Sequence, residues 1–480
     1  GGGPRAVIRY AQEMEEPPVP LHHLRWSPSP FRGGMMRDFA TSDDPRVQLQ
    51  LDRLALLSLP QGRFGLETIT QLCARLGNPE RRLPPVFHVA GTNGKGSTCA
   101  FLRAVLEAQG YTVHTATKPH LVRYNERIRI AGRLIADAAL AEVLAEVLDA
   151  GEDLGPSFFE VTTAALFLAF SRTPADACVI EVGLGGRFDA TNVIPAPLVC
   201  GIAALGIDHE AFLLRPEEGV PAEPLARIAF EKASIAKPGV PLVTQAYPAL
   251  AADEVVRTAV AHGAVLLMRG RDWWADMGIE GIAFRDGRGE LALPLPALPG
   301  AHQGDNAALA VAMLRAQSAL PISDEAIARG LREARWPARL QRLGDGPLTA
   351  LVPGREVWLD GGHNADAAQA IARALAGKAP FDLVFGLMAN RSVGEVLGPL
   401  APLVRRAEVV PLPGHASHDP RDVAMFAQGE LGLRACYPAL GLEQALERLG
   451  GDPDAAPVLV IAGSLYLAGD VLRRNGEVPD

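Results

Sequence analysis

One segment restricts the fold more than any other. Residues 85–90 are a mostly apolar run, Pro-Val-Phe-His-Val-Ala. They pass into Gly91-Thr92-Asn93-Gly94-Lys95-Gly96-Ser97-Thr98, and an amphipathic stretch follows as far as Gln109. A short apolar run bounded by glycine reads as a buried strand, and the pattern after it reads as a helix over 95–109. Strand, glycine-rich turn and helix in that order open a βαβ unit, which commits the chain to a parallel sheet covered by helices. The turn also has a chemistry. Glycines let backbone N–H groups close around phosphate oxygens, and the helix N-terminus adds partial positive charge. Lys95 can reach the β- and γ-phosphates, and the Ser97 hydroxyl can ligate Mg2+. The spacing departs from the common phosphate loop: Val89 stands at the position of the first glycine, and Gly96 separates Lys95 from Ser97. The plain alternative is a glycine-rich turn with a surface lysine; the flanking strand and helix favour the phosphate loop.

The alternation continues along the chain. Strands are expected at 112–117, 177–182, 198–204 and 241–245, and helices at 138–148 and 160–171. Residues 268–300, with Trp273-Trp274 and several glycines, read as short antiparallel strands or loops. Helices follow at 305–316 and 324–334. Trp336-Pro337 is a natural boundary, because a residue before proline is pushed out of the helical region. Beyond it the alternation restarts, with strands at 356–360, 381–385, 408–412 and 458–462. Helices are expected there at 365–375, 393–403, 421–431, 442–449 and 464–474. A chain of 480 residues exceeds what one core organises. The expectation is an α/β protein of two domains: a phosphate-binding domain over 44–336 with a mainly parallel sheet, and a smaller α/β domain over 338–480.

Residues 1–43 stand apart. They are proline-rich at first, lack periodicity and lack the apolar core of a secretory signal, and Met35-Met36 lies within them. The expectation is a start at Met35 or Met36, with a disordered or mis-assigned extension before it. A net charge of −9 argues against nonspecific nucleic-acid binding, which depends on neutralising phosphates. The five cysteines (Cys73, Cys99, Cys178, Cys200, Cys436) form no paired spacing, so a disulfide framework or zinc site is not expected and a reducing cytoplasm fits. There is no uncharged apolar stretch of about 18 residues, so no membrane span is expected.

The loop Gly91–Ser97, with its extra Gly96, resembles the phosphate loop of the folylpolyglutamate synthase/dihydrofolate synthase branch of the Mur ligase superfamily; murein ligases usually have Lys followed directly by Thr or Ser. Residues 179–192, Val-Ile-Glu-Val-Gly-Leu-Gly-Gly-Arg-Phe-Asp-Ala-Thr-Asn, are similar to a more specific stretch of that branch. Residues 119–128, the Leu-Gly-Ile-Asp-His string ending at His209, Glu231-Lys232-Ala233, Asp360-Gly361-Gly362-His363-Asn364 and Gly463-Ser464-Leu465-Tyr466-Leu467 extend the likeness over about 46–475, in the family's order.

The resemblance implies a P-loop Mur-ligase-like central domain, a Rossmann-like C-terminal domain, and ATP-dependent addition of L-glutamate to dihydropteroate, to a folylpolyglutamate, or to both, through an acyl phosphate. It assigns ATP binding to Thr92, Asn93, Gly94, Lys95, Gly96, Ser97, Asn306, Arg339 and Asp360. It assigns Mg2+, at two sites, to Ser97, Glu181 and His209. Lys232 would be carbamylated, and Lys95, Lys232 and His209 would serve catalysis. Ser157, Phe159, Phe188, Asp189 and Ala190 would frame the pterin, and His363 and Asn364 are candidates for glutamate. The implied protein is a cytoplasmic monomer with small-molecule partners. Two departures stand out. Lys118 occupies a position where the family has a metal-binding Ser, and a charged ammonium has donors only; contact with phosphate is the favoured reading. Asn390-Arg391 replaces a commoner Asp-Lys pair, so no glutamate contact is expected there. The remaining alternatives are a Mur-type ligase acting on a nucleotide-linked peptide, and a P-loop ATPase that ligates nothing.

Overall fold

The computed structural model describes residues 41–57 and 65–480; the expected start at Met35 or Met36 lies outside the described residues. Among the described residues the first sheet has eight strands: β1 (Val86–Ala90), β2 (Val113–Ala116), β3 (Ile128–Ile130), β4 (Arg133–Leu134), β5 (Ala177–Glu181), β6 (Val199–Ile202), β7 (Pro241–Thr244) and β8 (Val265–Met268). Their order is β4-β3-β2-β5-β1-β6-β7-β8. Every pairing from β2 to β8 is parallel, and only the β2–β3 and β3–β4 pairings are antiparallel. β1 lies between β5 and β6, with Phe87 level with both Val179 and Val199. The chain leaves β1 toward one side and later returns to build the other. The crevice at the carboxyl ends of β1, β5 and β6 is therefore a topological switch point, the place where open α/β sheets bind ligands.

Both faces of this sheet are covered, which is why β1 and β5 read as continuous apolar runs rather than alternating ones. On one face the helices Lys95–Gln109, Ala301–Arg315 and Asp324–Glu333 close a core around Phe87, Phe101 and Leu309. On the other, Asp137–Gly151 and Phe158–Arg172 bury Ile180, Leu144 and Phe167. Residues 268–300 supply the expected antiparallel strands, β9 (Trp273–Met277), β10 (Gly281–Asp286) and β11 (Gly289–Pro294), in the order β11-β10-β9. All five cysteines are free and buried. No helix among the described residues is long and apolar enough to cross a membrane.

The strands after Pro337 form a second sheet: β12 (Gln341–Arg342), β13 (Glu356–Leu359), β14 (Phe381–Phe385), β15 (Val404–Val409), β16 (Cys436–Pro438) and β17 (Val458–Ala462), in the order β12-β13-β17-β14-β15-β16. All pairings are parallel except β12–β13.

Three expectations are corrected. β15 spans 404–409 rather than 408–412, because its polar residues sit in a buried charge network: Arg405 binds Asp382 and Asp452, and Arg406 binds Glu408 and Asp452. The helix expected over 393–403 stops at Leu397, just ahead of Pro399. The helix expected from 305 begins at Ala301, after Gly300 at φ +103°. Lys232 lies on the helix Pro224–Ala233, to which the sequence assigned no bounds; it starts with Pro224 in its first turn and Glu223 capping it, the side chain accepting from Ala226 N at 2.6 Å.

Candidate active site

The phosphate loop joins β1 to the helix Lys95–Gln109 at the switch point. Gly94, at φ +82°, is the N-cap and offers no side-chain cap, so the first N–H groups of the helix remain for an anion. A Cβ on Gly94 would lie 2.2 Å from Asn306 Oδ1, and one on Gly96 would lie 2.6 Å from the Trp336 ring. Gly96 thus has a physical reason: the indole at the boundary between the two sheets rests on the first helical turn. Thr92 Oγ1 donates to Gly206 O at 2.8 Å and accepts from Gly206 N at 3.1 Å, which ties the loop to the segment after β6. Lys95 Nζ folds back to donate to Gly91 O and Thr92 O at 3.0 and 3.1 Å.

A second lysine meets the same carbonyl. Lys232, buried on the helix Pro224–Ala233, donates from Nζ to Gly91 O at 3.0 Å. Burial and then the Lys95 charge push its ammonium down to about 7. An amine so placed is partly neutral near neutral pH, the form that reacts with electrophiles.

Glu181 ends β5 beside the loop, with 3% of its surface exposed. Its Oε2 accepts from Lys118 N at 3.0 Å. Burial raises its pKa, and the charges of Lys95, Lys118 and Arg339 oppose that rise. Asp189 lies across from Lys118. Its Oδ2 accepts from Gly183 N (2.9 Å) and Leu184 N (3.0 Å), and its Oδ1 from Thr191 N (3.0 Å) and the Thr191 hydroxyl (2.5 Å). Its four lone-pair positions thereby have four donors from its own loop. Burial acts to raise the Asp189 pKa, but Lys118 and these hydrogen bonds outweigh it and hold the carboxyl below its usual range. Because Thr191 donates to Asp189, it accepts from His88 Nε2 at 2.8 Å, which fixes the tautomer of that buried ring.

His209 sits at φ +54° before the short helix Glu210–Leu213. Burial, with Arg391, Lys95 and Lys232, pushes it down to about 4 against the pull of Asp208, so it is neutral and able to ligate a metal. Asp208 pairs with Arg391 and accepts from Asn364 Nδ2 at 3.3 Å. Asn364 caps the helix Ala365–Leu375, its Oδ1 accepting from Ala367 N at 3.0 Å, and also reaches Asn93. Burial lowers His363 to about 4, and its Nδ1 lies 3.0 Å from Gly361 O. The connection between the sheets is pinned by Asp360, whose Oδ2 accepts from Leu340 N at 2.8 Å and Oδ1 from Gly362 N at 2.7 Å. Arg339 lies between two non-glycine residues of positive φ, Ala338 (+54°) and Leu340 (+43°), a strained turn that these bonds hold in place.

Contacts and neighbouring charges link Thr92, Asn93, Gly94, Lys95, Glu181, His209, Lys232, Asn306, Arg339, Asp360, His363 and Asn364, with Gly96 and Ser97 in the first turn of the helix after the loop. Asn306 lies in the second turn of its helix rather than at the start. Ser157 caps the helix Phe158–Arg172 in a reciprocal box with Glu160: Glu160 N donates to Ser157 Oγ at 3.3 Å, and Ser157 N donates to Glu160 Oε2 at 2.7 Å. Phe159 packs edge-on to Phe158, whereas Phe188 is 38% exposed with the Arg187 guanidinium 4.2 Å from its centroid. Ala190 is buried. Among the described residues no group of three or more His, Cys, Asp or Glu could hold a metal unaided. Ser97 and Glu181 still offer oxygens, and His209 a neutral imidazole, to ions that keep waters and take phosphate oxygens as their other ligands. The sequence reading missed Asp208, Arg391, Trp336 and the His88–Thr191 link. An acid directly before His209 was the available signal for Asp208; the others depend on approach in space.

No family model matches the chain. It is 33% identical over 449 residues to the dihydrofolate synthase/folylpolyglutamate synthase of Bacillus subtilis, covering 85% of this chain and 94% of that protein. It is 33% identical over 424 residues to the protein of the same name from Escherichia coli, covering 86% and 93%. Among solved structures, E. coli FolC in complex with DHPP and ADP superposes with a TM-score of 0.78 at 30% identity, over 89% of this chain and 97% of that one. A bifunctional folylpolyglutamate synthase/dihydrofolate synthase with Mn, AMPPNP and L-glutamate bound gives 0.75 at 29% identity, over 89% and 97%.

Proposed function

The chain belongs to the dihydrofolate synthase/folylpolyglutamate synthase family, and from that premise we propose how its own residues carry out the reaction. It is an ATP-dependent acid–amino-acid ligase that joins L-glutamate to a pteroate or folate carboxylate and works with a divalent metal on small-molecule substrates. The readings as a peptide-directed Mur ligase or a bare ATPase are set aside.

The proposed division of labour follows the cleft. A carboxylate is a poor acyl donor, so it first takes the γ-phosphoryl of ATP as an acyl phosphate; the glutamate amine then displaces phosphate. Such transfer needs positioning and charge neutralisation more than covalent help from the protein. The N–H groups after Gly94 and the ammonium of Lys95 receive the phosphates. Asn306, close against Gly94, meets the nucleotide from one side. Arg339 and Asp360 approach from the other sheet, so ATP is bound across two domains, 44–336 and 338–480, whose closure keeps water from the acyl phosphate. Mg2+ is the ion we infer, at two positions: one by Ser97 and Glu181, the other by His209 and Lys232, the latter as a carbamate formed when the neutral amine adds CO2 and releases a proton. The ions would neutralise phosphate charge. The loop 183–193, ordered by Asp189 and bearing Phe188 and Ala190, with Ser157 and Phe159, frames the pterin, and His363 and Asn364 meet the glutamate. We infer a cytoplasmic monomer.

The observation that carries this reading is the meeting of Lys95 and Lys232 on one carbonyl, Gly91 O, with Glu181 alongside. The test offers dihydropteroate and tetrahydrofolate separately, each with L-glutamate, ATP and Mg2+, and identifies products by mass. Glutamylated product with ADP release that requires all three substrates is expected. ADP release that ignores glutamate would sink it.

A further inference from the structure

Lys118 puts a cation just past the end of β2, beside the two buried carboxylates Glu181 and Asp189. Its backbone N–H binds Glu181, yet its side chain turns toward Asp189. Gly183 makes the room: a Cβ there would lie 3.2 Å from Lys118 Cδ, 3.4 Å from Lys118 Nζ and 3.2 Å from Asp189 Oδ2. Asp189 is itself locked by four hydrogen bonds from its loop, so the anion that faces the lysine cannot swing away. Glu181 meanwhile lies within the fields of three cations, Lys95, Lys118 and Arg339. A divalent ion approaching Glu181 enters a neighbourhood that already carries positive charge, and Lys118 adds no lone pair to hold it.

We propose that Lys118 is a resident cation of this site: its ammonium, seated beside Asp189 and near Glu181, does part of a divalent ion's work there, so the Ser97–Glu181 position takes its metal weakly and only together with nucleotide. The two metal positions then load with widely separated affinities. Nucleotide phosphate, by adding negative charge, is what makes the second ion bind. This rests on the ligase reading above.

The test is a Mn2+ titration of the full chain, followed by the electron paramagnetic resonance of the free ion, with and without AMPPNP. Lys118→Ser removes the charge and supplies an oxygen ligand; Lys118→Met removes the charge alone. Both variants are expected to gain a Mn2+ site without nucleotide about tenfold tighter than the wild type shows, serine more than methionine. Adding Glu181→Gln to Lys118→Ser should abolish the gain. Mn2+ binding unchanged within about twofold in both variants, or weakened, overturns the proposal. So does a loss of AMPPNP affinity in EDTA without any Mn2+ gain, which would make Lys118 a phosphate contact. If AMPPNP binds the wild type normally in those cases, the ligase reading stands and the Lys118 proposal alone falls; a wild type that binds no AMPPNP at all overturns both.

Discussion

The side-chain amides of Asn93 and Asn364 exchange two hydrogen bonds between the phosphate loop and the second sheet, 3.1 Å from Asn364 Nδ2 to Asn93 Oδ1 and 3.3 Å in the reverse direction. Asn364 also caps its own helix and touches Asp208, so one residue joins three pieces of the cleft. Asn364→Ser separates these jobs. Serine keeps an N-cap oxygen but is too short to reach Asn93, whereas alanine loses both and about 1 kcal/mol of cap stability. Chemical denaturation should therefore place Asn364→Ser near the wild type and Asn364→Ala below it. Steady-state ATP turnover should be impaired in both. A fully active Asn364→Ser enzyme would show that the amide pair is incidental.

The contact of Gly96 with Trp336 predicts a coupling that neither residue reveals alone. Gly96→Ala would place a methyl carbon 2.6 Å from the indole, so loop or linker must shift. Displacement of a phosphate-binding turn is expected to lower kcat/KM for ATP by about 10- to 100-fold. Trp336→Leu added to Gly96→Ala should recover part of that loss. Strictly additive effects in this double-mutant cycle would remove the steric explanation.

Lys232 predicts a dependence on dissolved CO2. Only the neutral amine adds CO2, and burial with the nearby Lys95 charge pushes the ammonium down to about 7. Activity should rise as pH passes upward through that value and fall in buffers stripped of bicarbonate. Lys232→Arg keeps a permanent charge and cannot form a carbamate, so turnover should drop at least about 100-fold. Turnover indifferent to bicarbonate, together with an active Arg variant, would exclude the modification.

The legible part of this molecule was whatever hydrophobic pattern and glycine placement can encode. β1, the helix Lys95–Gln109 and the helix Ala365–Leu375 appeared at their observed bounds or within a residue, because buried runs and a 3.6-residue stripe are local signals. β15 was misplaced by four residues at its start because Arg405, Arg406 and Glu408 look like a loop until Asp382 and Asp452 are beside them. The helix carrying Lys232 received no bounds although Pro224 and Glu223 announce it; its buried face includes Arg227 and Glu231, made tolerable by their mutual ion pair and by the pairing of Glu231 with Arg187. In the cleft, motif residues were readable one by one. Pairings such as Asn93 with Asn364 join positions hundreds of residues apart, and nothing local marks them.

Histidine burial predicts acid lability. His88 is fully buried and pushed down to about 3, while its unfolded value is near 6.5. Between those values the unfolded chain binds a proton that the folded chain refuses. The stability this ring contributes is present above 6.5 and is lost as pH falls toward 3. The slope is about 1.4 kcal/mol per pH unit for one such group. His120, His209 and His363, each lowered to about 4 chiefly by burial, act in the same direction. Urea denaturation at several pH values between 6.5 and 5 should show midpoints falling steadily. The fall should be shallower by about one proton in His88→Gln. An unchanged slope would mean that His88 titrates without unfolding.

Arg391 carries the last expectation: at residues 390–391, where no glutamate contact is expected, the structure places a guanidinium on Asp208. Its guanidinium pairs with Asp208, a carboxylate held well below its usual range: burial would raise it, but His209, Arg391 and the Arg391 hydrogen bond outweigh that. The Arg391 carbonyl lies 2.8 Å from His418 Nε2, which anchors the loop that presents it. The pair thus crosses from the second sheet to the segment bearing His209. Arg391→Ala leaves a buried carboxylate without its counter-charge, and breaking such a pair from one side costs about 3 kcal/mol or more. Asp208→Asn with Arg391→Ala removes both charges and should be more stable than Arg391→Ala alone, because no orphaned charge remains. Activity should not follow stability. The double variant still lacks the bridge, so its kcat should stay low while its denaturation midpoint recovers. Recovery of both together would make the pair a stabilising contact and no part of the closed cleft.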